Sequence, residues 1–598
     1  MKSLPKFLNS KTLFYFSFLL LGALFISNNF TLAGKENMEK PTFENTVINY
    51  DKQVGEADYL YQVLHYNSYL HSDDEGLSEL LNIYEGKRQN LINDNENFKK
   101  IKSLRDEYIK NNVQGEKRVI TDKWYKYLDK FIVLDPNVKK LQKEEMEFKN
   151  KLNRVWNVYR PKLKDQNGKY IKDKSTGKDK LFNGSEIIRI ESQSKDRDER
   201  KRAFEARSEV GYELASSGFK DLIKKRNEFA VARGYKDYYD MIYTQSGLNE
   251  DELFQIFDRF VKGTDDTTKK TIERFIKEEG FSKFEPWDVE YARSGFSSLI
   301  DGYLPKEGMA SALKISLREA GIDLEKFNIH MDLEPRTGKY PHAACWWVKF
   351  ADNVNGKWTG EDMRLLANLD KGGLEQYSTL FHETGHAVHG ANVRQKYTID
   401  KNVNLTSYYE LGGIAEGIAH TFEKLVEEPE WFVKYAEFDK PNKSKEDIAK
   451  LKEAFSKYES KAKPWSAFNT RLFLVKVYFE REIYKNPNAD FNKVWWDKMQ
   501  KLLFVEKHEE YPHWGHKAHF ISNPAYYQFY VLASLISEQN LHYFKAKYGK
   551  IVDNPNFGKD LVEKYFVTGN SVPWEDMMVK LTGEKLNPQY KIDAVTKF

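Results

Sequence analysis

One cysteine, Cys345, is all that the 598 residues contain. An internal disulfide is excluded, and any zinc site must be built from histidine and carboxylate rather than thiolates. Charge of one sign is also lacking. The 94 Lys and Arg stand against 90 Asp and Glu, and a balance of +4 gives no electrostatic case for nucleic acid or an anionic membrane as partner. No Pro/Gly/Ser-rich linker divides the chain, so its length reads as one large α-rich unit rather than a string of domains. Long apolar runs are absent except from Leu13 to Ile26, about 14 residues and short for a membrane span. Lys2, Lys6 and Lys11 precede that run and Thr31-Leu32-Ala33 follows it. Residues 1–33 therefore read as a secretory signal peptide, with an uncleaved anchor as the alternative. The mature chain is expected to begin near Gly34 and to work outside the cytoplasm, secreted or periplasmic.

Aromatic residues are plentiful, with 36 Tyr and 39 Phe, ample for a core. From about Asn45 to Tyr159 apolar residues recur three and four apart, as in Leu77 to Ile92 and Leu141 to Val155, which predicts a long helical region. Pro161 to Ser185 reads as a solvated hairpin, its lysines interleaved with Asp165, Asp173 and Asp179. Helical pattern resumes from Asp196 to Tyr243, with interruptions expected at Gly211 and Gly234. Between Ile329 and Leu369 the period shifts toward two. Asn328 to Leu333, Ala343 to Phe350 and Met363 to Leu369 read as three strands of a small antiparallel sheet, separated by turns at Arg336-Thr337-Gly338 and Asn355-Gly356. Its edge can offer main-chain groups to an extended peptide. The remainder is expected to be mostly helical, including Tyr408 to Glu427, Ser466 to Tyr484 and Tyr526 to Tyr543.

The chemistry is expected at Phe381 to Gly390, FHETGHAVHG. His382 and His386 are four apart, so on a helix both imidazoles project from one face, where they can bind a single zinc ion. Glu383, one position round, can take the proton of an attacking water. A third ligand is needed, and spacing leaves Glu410 and Glu416 both open. Context favours Glu416, whose helix faces inward through Ile414, Ile418 and Phe422. His420 and Glu423 can hydrogen-bond the ligands from behind. His389 falls off the ligand face and reads as packing, and His513 and His516 as loop residues.

These residues resemble two related families. Leu365 to Asn368, Thr379 to His389, Pro286-Trp287-Asp288 and Asp332 to Lys339 resemble the thimet oligopeptidase and oligoendopeptidase F group. In that group the third ligand is a Glu on a helix that runs on to Pro-Glu-x-Phe, and counting back from Pro429-Glu430-Trp431-Phe432 gives Glu416. His342-Ala343-Ala344-Cys345-Trp346, Lys517-Ala518-His519 and Tyr527-Gln528-Phe529-Tyr530 are similar to motifs of the angiotensin-converting enzyme family, the peptidyl-dipeptidases. The tyrosine segment is one residue out of that family's register, which makes Tyr526 and Phe529 rival placements.

The resemblance implies a gluzincin metallopeptidase, mainly α. Two helical halves of one domain, 34–598, would flank a deep central cleft, with one zinc ion on His382, His386 and Glu416. It implies Glu383 as base, Tyr530 and His519 as oxyanion donors, and His342, Ala343, Lys517 and Tyr527 as substrate contacts, Lys517 and Tyr527 holding the substrate's C-terminal carboxylate. The expected activity is release of C-terminal dipeptides from short unstructured peptides by a monomeric chain. The alternatives are an oligoendopeptidase of the same fold and a peptide- or zinc-binding protein without turnover.

Overall fold

The computed structural model describes residues 40–401, 412–438, 440 and 442–597. Residues 1–33, read above as a signal peptide, and Glu410 lie outside them. The chain is 68% helical with sheets of two and three strands only, which makes it mainly α, as its periodicity predicts. Among the described residues, no helix is long and apolar enough to cross a membrane. The chain divides into two compact units. The first comprises the described parts of Met1–Ile132, Phe327–Asp370 and Gly390–Leu405, and the second those of Val133–Lys326, Lys371–His389 and Thr406–Phe598.

In the first unit the helices Asn49–Leu70, Glu75–Ile92, Asn95–Lys110 and Glu116–Phe131 follow one another through short turns. Asp74 and Asp94 cap two of them by accepting from free N–H groups of the first turn. Their core gathers Val47, Tyr50, Val54, Ile101, Trp124 and Leu128. Buried Asp51 accepts from Trp124 Nε1 at 3.0 Å and from the backbone N–H groups of Thr398 and Ile399 at 2.8 and 3.1 Å.

The same unit holds the strands β1 (Ile329–Asp332), β2 (Ala344–Lys349), β3 (Asp352–Val354), β4 (Lys357–Thr359) and β5 (Asp362–Leu366). The three-stranded sheet is mixed rather than wholly antiparallel. Its order is β1-β5-β2, with β1 parallel to β5 and β2 antiparallel to it. The chain from Leu333 to Ala343 is long enough to leave a strand-wide gap between β1 and β2, and β5 fills that gap. The Asn355-Gly356 turn does not join the second and third strands of this sheet. It closes the separate hairpin β3–β4, both turn residues having positive φ, 53° and 83°, as a tight two-residue turn demands. Asp332 to Lys339 locks the ends of β1 and β5 together. Arg336 grips both Asp332 carboxylate oxygens at 2.7 and 2.8 Å, and Lys339 Nζ donates to the carbonyls of Asp332, Glu334 and Ala367.

The second unit is helical apart from the hairpin at 161–182, where Lys162 and Lys172 pair with Asp179 as the interleaved charges suggest. Gly211 does not interrupt its helix, which runs Arg197–Ser216. The glycine serves a close approach instead: a Cβ there would lie 2.0 Å from the Pro512 carbonyl oxygen. The helix expected from Ser466 is longer, Lys445–Lys485, with Pro464 inside it. Leu451 and Phe455 before the proline and Trp465 and Phe468 after it are all buried, and their packing outweighs a break of about 3 kcal/mol. Pro286-Trp287-Asp288 proves structural. Asp288 is fully buried and accepts from Arg197 at 2.6 Å and Arg200 at 3.0 Å.

Candidate active site

The motif helix, Leu374–Ala391, sets the His382 and His386 rings 4.9 Å apart between centroids. The helix Gly412–Glu423 lies against it and brings Glu416 to both, Oε2 at 3.5 Å from His382 Nε2 and Oε1 at 3.7 Å from His386 Nε2. Gly385 explains the closeness. A Cβ at this position would meet Ala419 Cα and Phe422 Cβ at 3.1 Å, so the two helices pack backbone against side chain with no methyl between them. Ligands held at about 2.0–2.2 Å around a tetrahedral zinc ion lie roughly 3.3–3.5 Å from one another. Glu416 stands close to that separation from each of the two histidines, and the three predicted ligands have the donor chemistry for one ion. His420 also qualifies by position: its ring nitrogen falls within 4.8 Å of ligand atoms on His382 and Glu416. Among the described residues the group whose ligand atoms all lie within 4.8 Å of one another is His382, Glu416 and His420, while His386 meets Glu416 at 3.7 Å without joining that group.

Glu423 stands behind His382, its Oε2 3.2 Å from Nδ1, an orientation that leaves Nε2 turned toward Glu416. Burial by itself would lower the His382 pKa, but the two carboxylates outweigh it and raise it to about 10. Glu416 and Glu423, despite burial, are held down at about 2 by hydrogen bonds from His382 and by the neighbouring imidazoles. Glu383 is 8% exposed and makes no such pairing. Burial, with the charges of Glu416 and Glu423, pushes it up to about 7, where a carboxylate can exchange protons near neutrality. A cavity of about 400 Å³ opens onto His382 and Glu383 beside Ser378 and Thr379.

The helix Tyr527–Tyr548 packs along the Gly412–Glu423 helix through two more glycines, Gly413 against Phe529 and Leu532, and Gly417 against Ile536. Phe529 is thereby turned into the core. Tyr527, for which Tyr526 is the rival placement, faces His519, with the hydroxyl 3.3 Å from Nδ1. Tyr530 stacks on Phe473 at 5.1 Å. Lys517, two residues before His519, is driven down to about 8 by burial and by the charge of Arg207. His342 and Ala343 lie in the first unit, just before β2, whose strand partner among the described residues is β5. His389 is buried against Phe566, as packing predicts, and His513 is buried with Nδ1 2.8 Å from Ser208 Oγ.

Two residues escaped the sequence reading. Arg226 is fully buried and donates to Glu145, to Tyr484 and to the carbonyls of Phe520 and Ile521, fixing the segment that follows His519. Lys476 is 5% exposed and lies in Leu472-Phe473-Leu474-Val475-Lys476-Val477, where a cation inside an apolar run was the available signal.

In comparison with known protein families, residues 322–596 fit the family described as Peptidase family M3. No curated protein matches the chain. The matched span includes the sheet, the His-Glu-x-x-His helix, Glu416 and the segment from Lys517 to Tyr530. Residues 322–596 are thus a peptidase family M3 domain, and the chain is a zinc metallopeptidase, a hydrolase acting on peptides.

Proposed function

We propose that this peptidase removes dipeptides from the free C-termini of short, unstructured peptides, and that it does so after export directed by its N-terminal segment. The observation that carries the first part is the grouping, in the unit that holds His382 and Glu416, of a half-buried cation, Lys517, two residues from His519, whose Nδ1 meets the Tyr527 hydroxyl. A carboxy-dipeptidase has to recognise the chain end as well as the scissile bond, and a fixed ammonium beside a phenol suits a carboxylate.

In this reading His382, His386 and Glu416 hold one zinc ion, which when bound supplies Lewis acidity and makes water a nucleophile at neutral pH. Glu383 takes the proton of the attacking water and passes it to the leaving amine, a task suited to a carboxyl poised near 7. Tyr530 and His519 donate hydrogen bonds to the oxygen on which charge develops. Glu423 keeps the His382 ring oriented. His342 and Ala343, just before β2, offer side-chain and main-chain groups to an extended peptide.

The match to family M3 favours a second reading, an oligoendopeptidase that cuts within short peptides. Mass-spectrometric product mapping on one peptide and its C-terminally amidated twin separates the two. Release of dipeptides from the free peptide, with poor cleavage of the amide, is expected. Equal cleavage of both would remove the carboxy-dipeptidase reading. Glu383→Gln should keep its zinc and lose hydrolysis in the same assay, and undiminished hydrolysis would refute the assigned base.

A further inference from the structure

Lys476 projects from the helix Lys445–Lys485 into the same unit as Lys517, His519 and Tyr527. Its ammonium lies 4.4 Å from the centre of the Phe473 ring and 4.7 Å from that of Tyr527, held by two aromatic faces. The Tyr527 ring that carries it is the one whose hydroxyl meets His519.

Charge is not balanced around it. Four cations, Arg207, Arg293, Lys476 and Lys517, act on one another here, with two carboxylates, Glu191 and Glu290, among them. Both carboxylates are taken by the arginines: Arg207 Nη2 is 2.6 Å from Glu191 Oε2, and Arg293 Nη2 is 2.5 Å from Glu290 Oε2. Among the described residues, neither lysine has a carboxylate in ion-pair range. Burial and the neighbouring cations push Lys476 well below the usual lysine range, so that an anion brought beside it would strengthen its hold on the proton.

We infer that Lys476 is a second cation of the C-terminal anchor and that, together with Lys517, it selects peptides whose last residue is Asp or Glu. This rests on the carboxy-dipeptidase reading. A C-terminal acidic residue brings an α-carboxylate and a side-chain carboxylate on one unit, two negative charges for two lysines that have no carboxylate in ion-pair range among the described residues. A single inorganic anion would answer only half of that surplus, and the shared Tyr527 ring ties Lys476 to the substrate anchor rather than to an independent ion site.

The test uses the zinc-loaded full chain and three versions of one peptide, ending in free Glu, free Gln and amidated Gln. The wild type should cut the Glu peptide with kcat/KM roughly tenfold or more above the Gln peptide. Lys476→Met should bring the two within about twofold while still cutting free Gln better than its amide. Because it removes a buried ammonium without an ion pair, the same variant should melt no lower than the wild type. Should Lys476→Met fail to fold, Lys476→Gln carries the same expectations, and thermal shift of Glu383→Gln protein by dipeptides ending in Glu or Gln gives the preference without turnover. Equal wild-type rates on Glu and Gln, or a Glu preference that survives in both Lys476 variants, would overturn the inference while free-over-amide discrimination still upheld the parent reading. Loss of that discrimination in the wild type is the separate failure of the parent reading. If chloride fills the site instead, it raises the Glu and Gln rates together, and that too overturns the inference.

Discussion

Glu480 should make this protein lose stability as pH rises through neutrality. Its side chain is 1% exposed, and Oε1 accepts the Ala525 N–H at 2.9 Å, just before the tyrosine segment. Burial is the largest influence on it and lifts its pKa to about 8, only partly offset by the Ala525 bond and the charge of Arg226. The folded chain therefore keeps a proton that the unfolded chain releases above 4.5. Unfolding gains from that release, so the contribution is neutral below the unfolded value and grows unfavourable until pH passes the folded one. Worked through, the group withholds about 1 kcal/mol at pH 5 and about 4 kcal/mol at pH 7.5. Glu480→Gln keeps an acceptor for Ala525 and has no proton to release. Urea unfolding of wild type and variant, both metal-free so that zinc affinity does not enter, should show the variant gaining about 3 kcal/mol on the wild type between those two pH values. A difference between the two proteins that stays constant with pH would refute the reasoning.

Gly385→Ala should weaken zinc without removing a ligand. The added methyl meets Ala419 and Phe422 at 3.1 Å, forces the two ligand helices apart by a few tenths of an ångström, and strains a gap already matched to one ion. Overpacking of about 1–3 kcal/mol is set against a helix-propensity gain of about 1 kcal/mol, so the melting temperature should change little or fall slightly. Chelator competition should show affinity down by roughly tenfold or more, and an unchanged zinc constant would contradict the spacing argument. Arg226→Met strands the carbonyls of Phe520 and Ile521 and the Glu145 carboxylate, and should cost about 3–5 kcal/mol by urea unfolding. A loss under about 1 kcal/mol would mean that neighbouring groups or water replace it.

The approach of Glu416 to His382 and His386 was legible because its information is local. Two histidines four apart on a helix state their own geometry, and inward-facing Ile414 and Ile418 gave Glu416 a reason to be buried. Glu423 was legible for the same cause, one helix face read at two successive turns. The parallel pairing of β1 with β5 was not, because strand order depends on which strand fills a gap and period-two alternation is blind to direction. Gly211 misled for a related reason. A glycine read along the chain signals a break, whereas here its missing side chain admits the Pro512 carbonyl from a segment three hundred positions away. Lys476 stood in plain view within an apolar run, but its two ring faces come from different stretches of chain, and only the fold brings Tyr527 over it.

The contact at Gly211 has a further consequence. Because Gly515 and Pro512 rest on the bare backbone of that helix, and Arg226 holds the next carbonyls, the stretch between them takes its position from main chain rather than from interdigitating side chains. It works like a datum surface in a machined assembly. Exchanges among the side chains that line it alter shape and charge locally without shifting the reference from which His519 is placed. On the proposed reading, preference for one peptide end over another can therefore drift by substitution at Lys476 while the main chain that carries His519 is left where it was.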